Sequence, residues 1–326
     1  MNINQISTYG PLKVISIIGA SGFVGSHLLE FLSDRQDTQI RVLVHRRSIS
    51  YENFPNLIFI EGDLLSLDSL EDLVKPGCTV INLAYLTSNS IQDNLEAMRN
   101  LSNICAKNHV KRLIHCSTAV VAGRVNQDVI YENTICHPNS DYEVVKLRIE
   151  QALMDSALNR FEISILRPSA VFGPGGKNLL KLAHELLKSN PWKLYLKSCL
   201  FNRRSMNLVC IQNVVAALVF LLDADQKVDR EVFIVSDDDS PINNYQDIEN
   251  ILMMKLQTKH SIFPRIPVPS ILFNLLLFLN GNSITNPKVK FSDGKLSSFG
   301  FKKPIDLEIG LASFANWYKT LPKEQQ

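Results

Sequence analysis

The amino-acid sequence predicts an α/β protein, a doubly wound parallel sheet followed by a smaller C-terminal lobe. Three observations predict it. Short apolar, β-branched runs alternate with stretches whose apolar residues recur at helical spacing, the pattern of parallel strands joined by helical crossovers. The first run leads directly into a glycine-rich turn at Gly19, Gly22 and Gly25. After Gly176 the alternation gives way to mixed segments.

Taken in order, residues 12–18 read as a strand, the glycine turn follows, and 23–32 carry apolar positions at helical period. Further buried strands are expected at 40–44, 57–60, 79–84, 112–116 and 161–166, with helices at 67–74 and 94–107. Beyond Gly176, residues 179–187 read as helix, 206–211 as strand and 214–222 as helix. Pro264, Pro267 and Pro269 then interrupt regularity before an apolar run at 271–279, and Trp317 closes a last helix. That run is too short to span a bilayer. A core helix is expected there, with shallow membrane contact as the alternative.

A chain of 326 residues can bury a sizeable core. Its 34 lysines and arginines against 32 acidic residues give a net charge of +2, no reason to expect nucleic acid or a membrane as partner; any basic site must be local. The six cysteines, Cys78, Cys105, Cys116, Cys136, Cys199 and Cys210, show no metal-ligand spacing and read as buried free thiols of a reducing compartment. None of the seven histidines, His115 included, has a sequence partner that argues for a metal, so no metal is expected. Residues 1–10 carry neither a basic start nor an apolar stretch, so no secretory signal is expected and the location is read as cytoplasmic.

The turn Gly19-Ala20-Ser21-Gly22-Phe23-Val24-Gly25 follows a strand and opens a helix, the context in which glycines bring the backbone close to a dinucleotide pyrophosphate. The helix N-terminus offers N–H groups and the positive end of its dipole to that anion. After the second strand, where an acidic residue would bind the ribose 2′-hydroxyl of NAD, the chain reads Val44-His45-Arg46-Arg47. Arginine suits a 2′-phosphate, so Arg46 favours NADP(H), with NAD the alternative. Asp63, after the third strand, is either an acceptor for the adenine amino group or an ordinary turn aspartate.

Downstream, Tyr142 and Lys146 stand four residues apart, which on a helix puts both on one face. A free phenol has a pKa of about 10, so proton transfer near neutrality needs nearby positive charge to stabilise the phenolate. Lys146 supplies it.

Together the glycine turn, Asp63-Leu64, Asn82-Leu83-Ala84, Ser117-Thr118, Tyr142-Glu143-Val144-Val145-Lys146, and Leu166-Arg167-Pro168 with Val171-Phe172-Gly173-Pro174-Gly175 resemble the extended short-chain dehydrogenase/reductase family, also described as the NAD-dependent epimerase/dehydratase family. The resemblance covers nearly the whole chain and implies a Rossmann-type fold. It implies a cofactor site of Gly19, Ser21, Gly22, Phe23, Val24, Gly25, Arg46, Asp63, Leu64, Leu83, Ala84, Tyr142, Lys146 and Pro168. It also implies catalysis by Thr118, Tyr142 and Lys146, with Ser117 and Thr118 facing the substrate, and a structural part for Asn94. Family members commonly dimerise, so a homodimer is expected.

The stretch Asn202-Arg203-Arg204-Ser205, with Val209, Asn213-Val214-Val215 and residues 232–238, is similar to bacterial reductases of UDP-linked 4-keto-6-deoxy-N-acetylhexosamines. Arg203 and Arg204 would pair with a sugar-nucleotide diphosphate, or are solvated surface charge. Many family members carry a tyrosine where this chain has Ala122 and an aspartate where it has Asn213, and the first departure weighs against epimerase-like sugar handling. The implied activity is reduction of the 4-keto group of a nucleotide-linked deoxy sugar for surface polysaccharide synthesis. A nucleotide-sugar 4-epimerase is the runner-up, and a steroid or small-aldehyde reductase remains open. From another class, a non-catalytic dinucleotide sensor would need no proton donor. The implied domains are 11–175 plus 206–238 for the cofactor and 176–205 plus 239–321 for the substrate.

Overall fold

The computed structural model describes residues 13–45, 56–87, 90–258, 266, 268 and 286–322. Arg46, Arg47, the three prolines at 264, 267 and 269, and the apolar run 271–279 lie outside them. The elements run β1 (Lys13–Ile18), α1 (Phe23–Leu32), β2 (Thr38–Val44), β3 (Leu57–Glu61), α2 (Leu67–Leu73), β4 (Thr79–Asn82), α3 (Ile91–Lys107), β5 (Arg112–Cys116) and β6 (Val129–Ile130). They continue with α4 (Asp141–Ala157), β7 (Glu162–Pro168), β8 (Ala170–Phe172), α5 (Leu180–Lys188), α6 (Pro191–Phe201), β9 (Leu208–Cys210), α7 (Ile211–Asp223) and β10 (Glu231–Val235). Last come α8 (Tyr245–Leu256), β11 (Lys290–Phe291), α9 (Gly294–Ser298) and α10 (Leu307–Thr320).

Seven strands form one parallel sheet in the order β10-β7-β5-β4-β1-β2-β3, flanked by helices, as the alternating pattern predicts. The strand order reverses between β1 and β4, which opens a crevice at their carboxyl ends, where ligands of doubly wound sheets bind. Two differences from expectation have local causes. β4 stops at Asn82, two residues early, because the Asn82 side-chain oxygen accepts the N–H of Ala84 at 3.0 Å and turns the chain. α3 starts at Ile91, three residues early, because Ser90 and Asp93 form a reciprocal capping box.

The chain divides into two compact units. The first comprises Met1–Cys116, Arg148–Ile165 and Leu221–Glu231. Its core is the buried β1, β2, β4 and β5 set, including Ile15, Ile17, Val42, Val80, Ile81, Leu113 and Ile114. Beside it Arg112, 3% exposed, donates to Glu162 and to the carbonyls of Leu221 and Ala224, so each polar edge of the buried guanidinium finds an acceptor.

The second unit comprises Ser117–Leu147, Leu166–Phe220 and Val232–Gln326. Its main core joins Phe172, Leu182, Leu186, Leu208, Ile248, Leu252, Leu311, Phe314 and Tyr318. A polar knot ties its loops together: Asp238 accepts from Asn207 at 2.7 Å, Asn243 at 2.8 Å and the Phe291 N–H at 2.8 Å. Nearby, Lys303 bonds Asp239 at 2.5 Å and lies 3.1 Å from Asp293.

Burial outweighs these donors and pushes the Asp238 pKa up from 3.8 to about 6. A carboxyl whose folded pKa is raised holds its proton better folded than unfolded. Its stabilising contribution is therefore complete below about pH 4 and is lost as pH rises through about 6. The melting temperature of Asp238→Asn, measured relative to wild type, is expected to climb between about pH 4 and 7, by the equivalent of about 2–3 kcal/mol. A difference that stays flat across that window would show that Asp238 does not titrate there.

All six cysteines are free, and burial raises the thiol pKa of Cys78, Cys105 and Cys210, leaving them protonated and unreactive. Among the described residues no helix is long and apolar enough to cross a membrane, and no group of side chains is arranged to hold a metal.

Candidate functional site

In the first unit, Gly19, Ser21 and Gly22 follow β1 and Leu83 and Ala84 follow β4, whereas Asp63 and Leu64 follow β3. Gly19 takes φ +83°, and a Cβ there would stand 2.8 Å from the backbone nitrogen of Ala84 and 2.9 Å from the carbonyl carbon of Leu83. Gly19, Leu83 and Ala84 are therefore in backbone contact, and only glycine fits the first position. The Leu83 N–H extends the ladder by donating to Ile18 at 2.9 Å. Gly22 donates its N–H to the Gly19 carbonyl at 3.1 Å and serves as the N-cap of α1. No side chain caps this end, and its first turn holds no acidic residue. A helix start without its own anionic or hydroxyl partner suits a phosphate group, so these residues fit a dinucleotide. Ser21 is exposed, Phe23 and Val24 are half-buried, and Gly25 is packed against the turn.

The floor of this turn is held by asparagines. Asn82, fully buried, lies 3.2 Å from His115 Nδ1 and donates to the Met98 sulfur at 3.1 Å, which gives His115 a core position. Asn94 accepts from the Leu86 N–H at 3.1 Å and donates to the Leu86 carbonyl at 3.0 Å, so it clamps the chain leaving β4, in keeping with a structural part. Asp63 uses one carboxylate oxygen to accept from the Leu65 N–H at 2.8 Å and sets the other 3.0 Å from His45. The first contact shapes the turn after β3, and the second ties that turn to the end of β2. Leu64 beside it is buried.

The second unit carries the remaining candidates. Ser117, buried, donates its N–H to the Leu166 carbonyl at 2.8 Å, and Thr118, half-buried, opens a 3₁₀ turn over Ala119–Ala122. Gly123 ends that turn at φ +65°, where a Cβ would meet the His137 carbonyl oxygen at 1.9 Å. The turn is further pinned by His137 donating to Ala122 at 2.8 Å and Arg124 donating to His137 at 3.0 Å. Ala122 packs into a small buried cluster with Ala119, Ile130, Ile234 and Phe291.

α4 starts on a reciprocal cap: Glu143 donates its N–H to Ser140 Oγ at 3.3 Å, while its carboxylate accepts the Asn139 N–H at 2.7 Å. The cap sets the helical register of Tyr142 and Lys146. Tyr142 is 41% exposed and Lys146 only 3%, so the phenol is accessible while the ammonium is shielded from bulk water. A shielded cation acts more strongly on a neighbouring phenolate than an exposed one. Pro168 ends β7, and Arg167 before it is buried.

Arg203 and Arg204 differ from each other. Arg203 is exposed, whereas Arg204 is half-buried with its guanidinium 6.0 Å from the Phe201 ring centroid, and burial lowers its pKa. The Arg204 carbonyl also accepts the Tyr245 N–H at 2.9 Å, so this segment is anchored to the start of α8. Asn213 has a local reason for replacing aspartate. It donates to Asp237 at 2.9 Å and to the Ile305 carbonyl at 3.0 Å, and a carboxylate there would face another carboxylate. Neither the 213–237 pairing nor the pinning of residue 137 to the turn after Thr118 has a sequence motif, because the partners lie far apart along the chain.

The model of the NAD dependent epimerase/dehydratase family matches residues 15–236. A sterol-4-alpha-carboxylate 3-dehydrogenase (decarboxylating) of Candida albicans is 31% identical over 52% of this chain, a stretch that spans 53% of the yeast protein. A UDP-glucose 4-epimerase of Vibrio cholerae is 30% identical over 69% of this chain and 71% of its own. Among solved structures, UDP-glucuronic acid 4-epimerase from Bacillus cereus in complex with NAD superposes with a TM-score of 0.74 at 20% identity, covering 96% of this chain and 98% of that one.

Proposed function

Since the chain belongs to the NAD-dependent epimerase/dehydratase family and is an enzyme of the short-chain dehydrogenase/reductase type, we propose that it reduces the 4-keto group of a nucleotide-linked, UDP-type deoxy sugar. The observation that carries this reading is an intact Thr118, Tyr142 and Lys146 set beside an Ala122 that replaces the tyrosine of many relatives. The product would serve surface polysaccharide synthesis, in the cytoplasm, from a homodimer.

A bound nicotinamide would supply the hydride. Tyr142 would donate its phenolic proton to the carbonyl oxygen as that oxygen gains charge, and Thr118 would hydrogen-bond the same oxygen. Lys146 would stabilise the phenolate left behind and orient the nicotinamide ribose. Gly19, Ser21, Gly22, Phe23, Val24 and Gly25 would hold the pyrophosphate, Asp63, Leu64, Leu83, Ala84 and Pro168 the rest of the cofactor, and Ser117, Arg203 and Arg204 the substrate. Residues 11–175 plus 206–238 would then form the cofactor domain, and 176–205 plus 239–321 the substrate lobe. Arg46 favours NADP(H) over NAD.

A nucleotide-sugar 4-epimerase is the second reading, favoured by the match to the Vibrio cholerae enzyme over 71% of that protein's length. The two differ in whether reduced cofactor is consumed. Purified protein should be mixed with NADPH or NADH and a panel of UDP- and dTDP-linked 4-keto-6-deoxy sugars, following absorbance of the reduced cofactor. Consumption supports the reductase, and Arg46→Asp is then expected to turn the preference from NADPH toward NADH. Interconversion of UDP-sugar epimers without consumption supports the epimerase instead.

A further inference from the structure

We propose that the exposed face of α5 and α6 docks this protein on an anionic lipid surface. The whole-chain charge of +2 conceals a strong local imbalance. Between residues 177 and 201 stand Lys177, Lys181, Lys188, Lys193 and Lys197 against a single acid, Glu185, so the rest of the chain is net acidic. Glu185 is largely buried and paired with Lys197, which leaves the surface of this stretch without an exposed acid.

The same stretch also exposes apolar side chains. Trp192 is 63% exposed and Leu196, four residues on, 66%, so the two stand on one face of α6. Leu187 of α5 is 43% exposed. Lys181, His184 and Lys188 form an exposed row on α5, and Lys193 is exposed beside Trp192. Large apolar side chains flanked by lysines are the composition of helices that lie in a membrane interface, where the indole settles at headgroup depth and lysines reach the lipid phosphates.

Two other occupants fit less well. A second copy would meet this face through a self-complementary contact, setting lysines against lysines with no exposed acid to answer them. A nucleic acid would answer the charge but leave Leu187 and Leu196 in water. Anionic lipid satisfies both, and the proposal stands apart from the catalytic reading.

The test is sedimentation of the full chain with vesicles of phosphatidylcholine containing about one-third phosphatidylglycerol, against pure phosphatidylcholine, with Trp317→Phe as background so that Trp192 emission can be followed. Binding to the anionic vesicles alone is expected, with a blue shift of Trp192 and weakening by salt. Lys188→Glu with Lys193→Glu, and separately Trp192→Ser with Leu196→Ser, should each lower partitioning by about tenfold or more. All four side chains are exposed, so the fold should survive, and circular dichroism checks this. The proposal fails if anionic vesicles do not carry the protein down, or if neither double variant changes partitioning. It fails equally if these substitutions instead dissolve a dimer seen by light scattering, or abolish binding to single-stranded RNA, while vesicles stay bare.

Discussion

Tyr142→Phe is expected to lower kcat by about 10²–10⁴-fold, the range a positioned proton donor contributes, with little change in KM or melting temperature. Only the hydroxyl is removed. At 41% exposure the Tyr142 ring leaves no core cavity to open, and the Ser140–Glu143 cap that starts α4 is untouched. The ring carbons that remain can still pack against substrate, so binding should hold while proton donation fails. Initial rates on whichever sugar nucleotide the panel identifies, alongside thermal melts, separate these effects. A kcat within a few fold of wild type would remove Tyr142 from the chemistry, and a fall in melting temperature would point to a structural role.

What the sequence shows of this fold depends on how far each signal reaches along the chain. β1 and α1 agree with their expected positions because an apolar run, a glycine turn and a helical period coincide there, and β5 agrees because its short apolar run stands between polar flanks. α8 escapes a periodicity reading although Asn244 caps it by accepting from Asp247 at 3.1 Å, since the unbroken apolar run Ile251-Leu252-Met253-Met254 blurs its helical period. α6 escapes for a different reason: Trp192, Leu194, Tyr195, Leu196 and Leu200 put apolar side chains on more than one face, which blurs the period. β6 and β11, two residues each, are too short to have a period at all. The candidate site divides the same way. The glycine turn and the Tyr142–Lys146 spacing are local and legible. The contacts that hold their surroundings, Asn82 to His115, Ala122 to His137 and Asn213 to Asp237, join residues that only the folded chain brings together.

Gly25→Ala should be the more damaging change to the cofactor turn, although alanine is the better helix former. Gly25 lies within α1, and a Cβ there would stand 2.3 Å from the Gly19 carbonyl oxygen, 2.5 Å from the Ala20 Cα and 2.7 Å from the Ala20 carbonyl carbon. Each is backbone, so no side-chain rotation relieves the clash, and α1 must move away from the end of β1. That movement separates the helix N-terminus from the Gly19 turn, whose carbonyl already accepts the Gly22 N–H at 3.1 Å. Cofactor affinity is expected to fall on the order of 10²-fold, the loss that a displacement of about 1 Å imposes on positioned groups, with about 1–3 kcal/mol of stability lost to overpacking. Gly22→Ala makes the comparison sharp, because its Cβ would meet only the Gly19 oxygen, at 3.2 Å, a contact that a shift of a few tenths of an ångström relieves. Calorimetric titration of both variants with NADPH and NADH, with thermal melts, should therefore rank Gly25→Ala well below Gly22→Ala, and Gly22→Ala below wild type. Equal affinities for the two variants would mean that packing of α1 on the turn does not control the dinucleotide site, and the anion-binding role of that helix start would have to be given up.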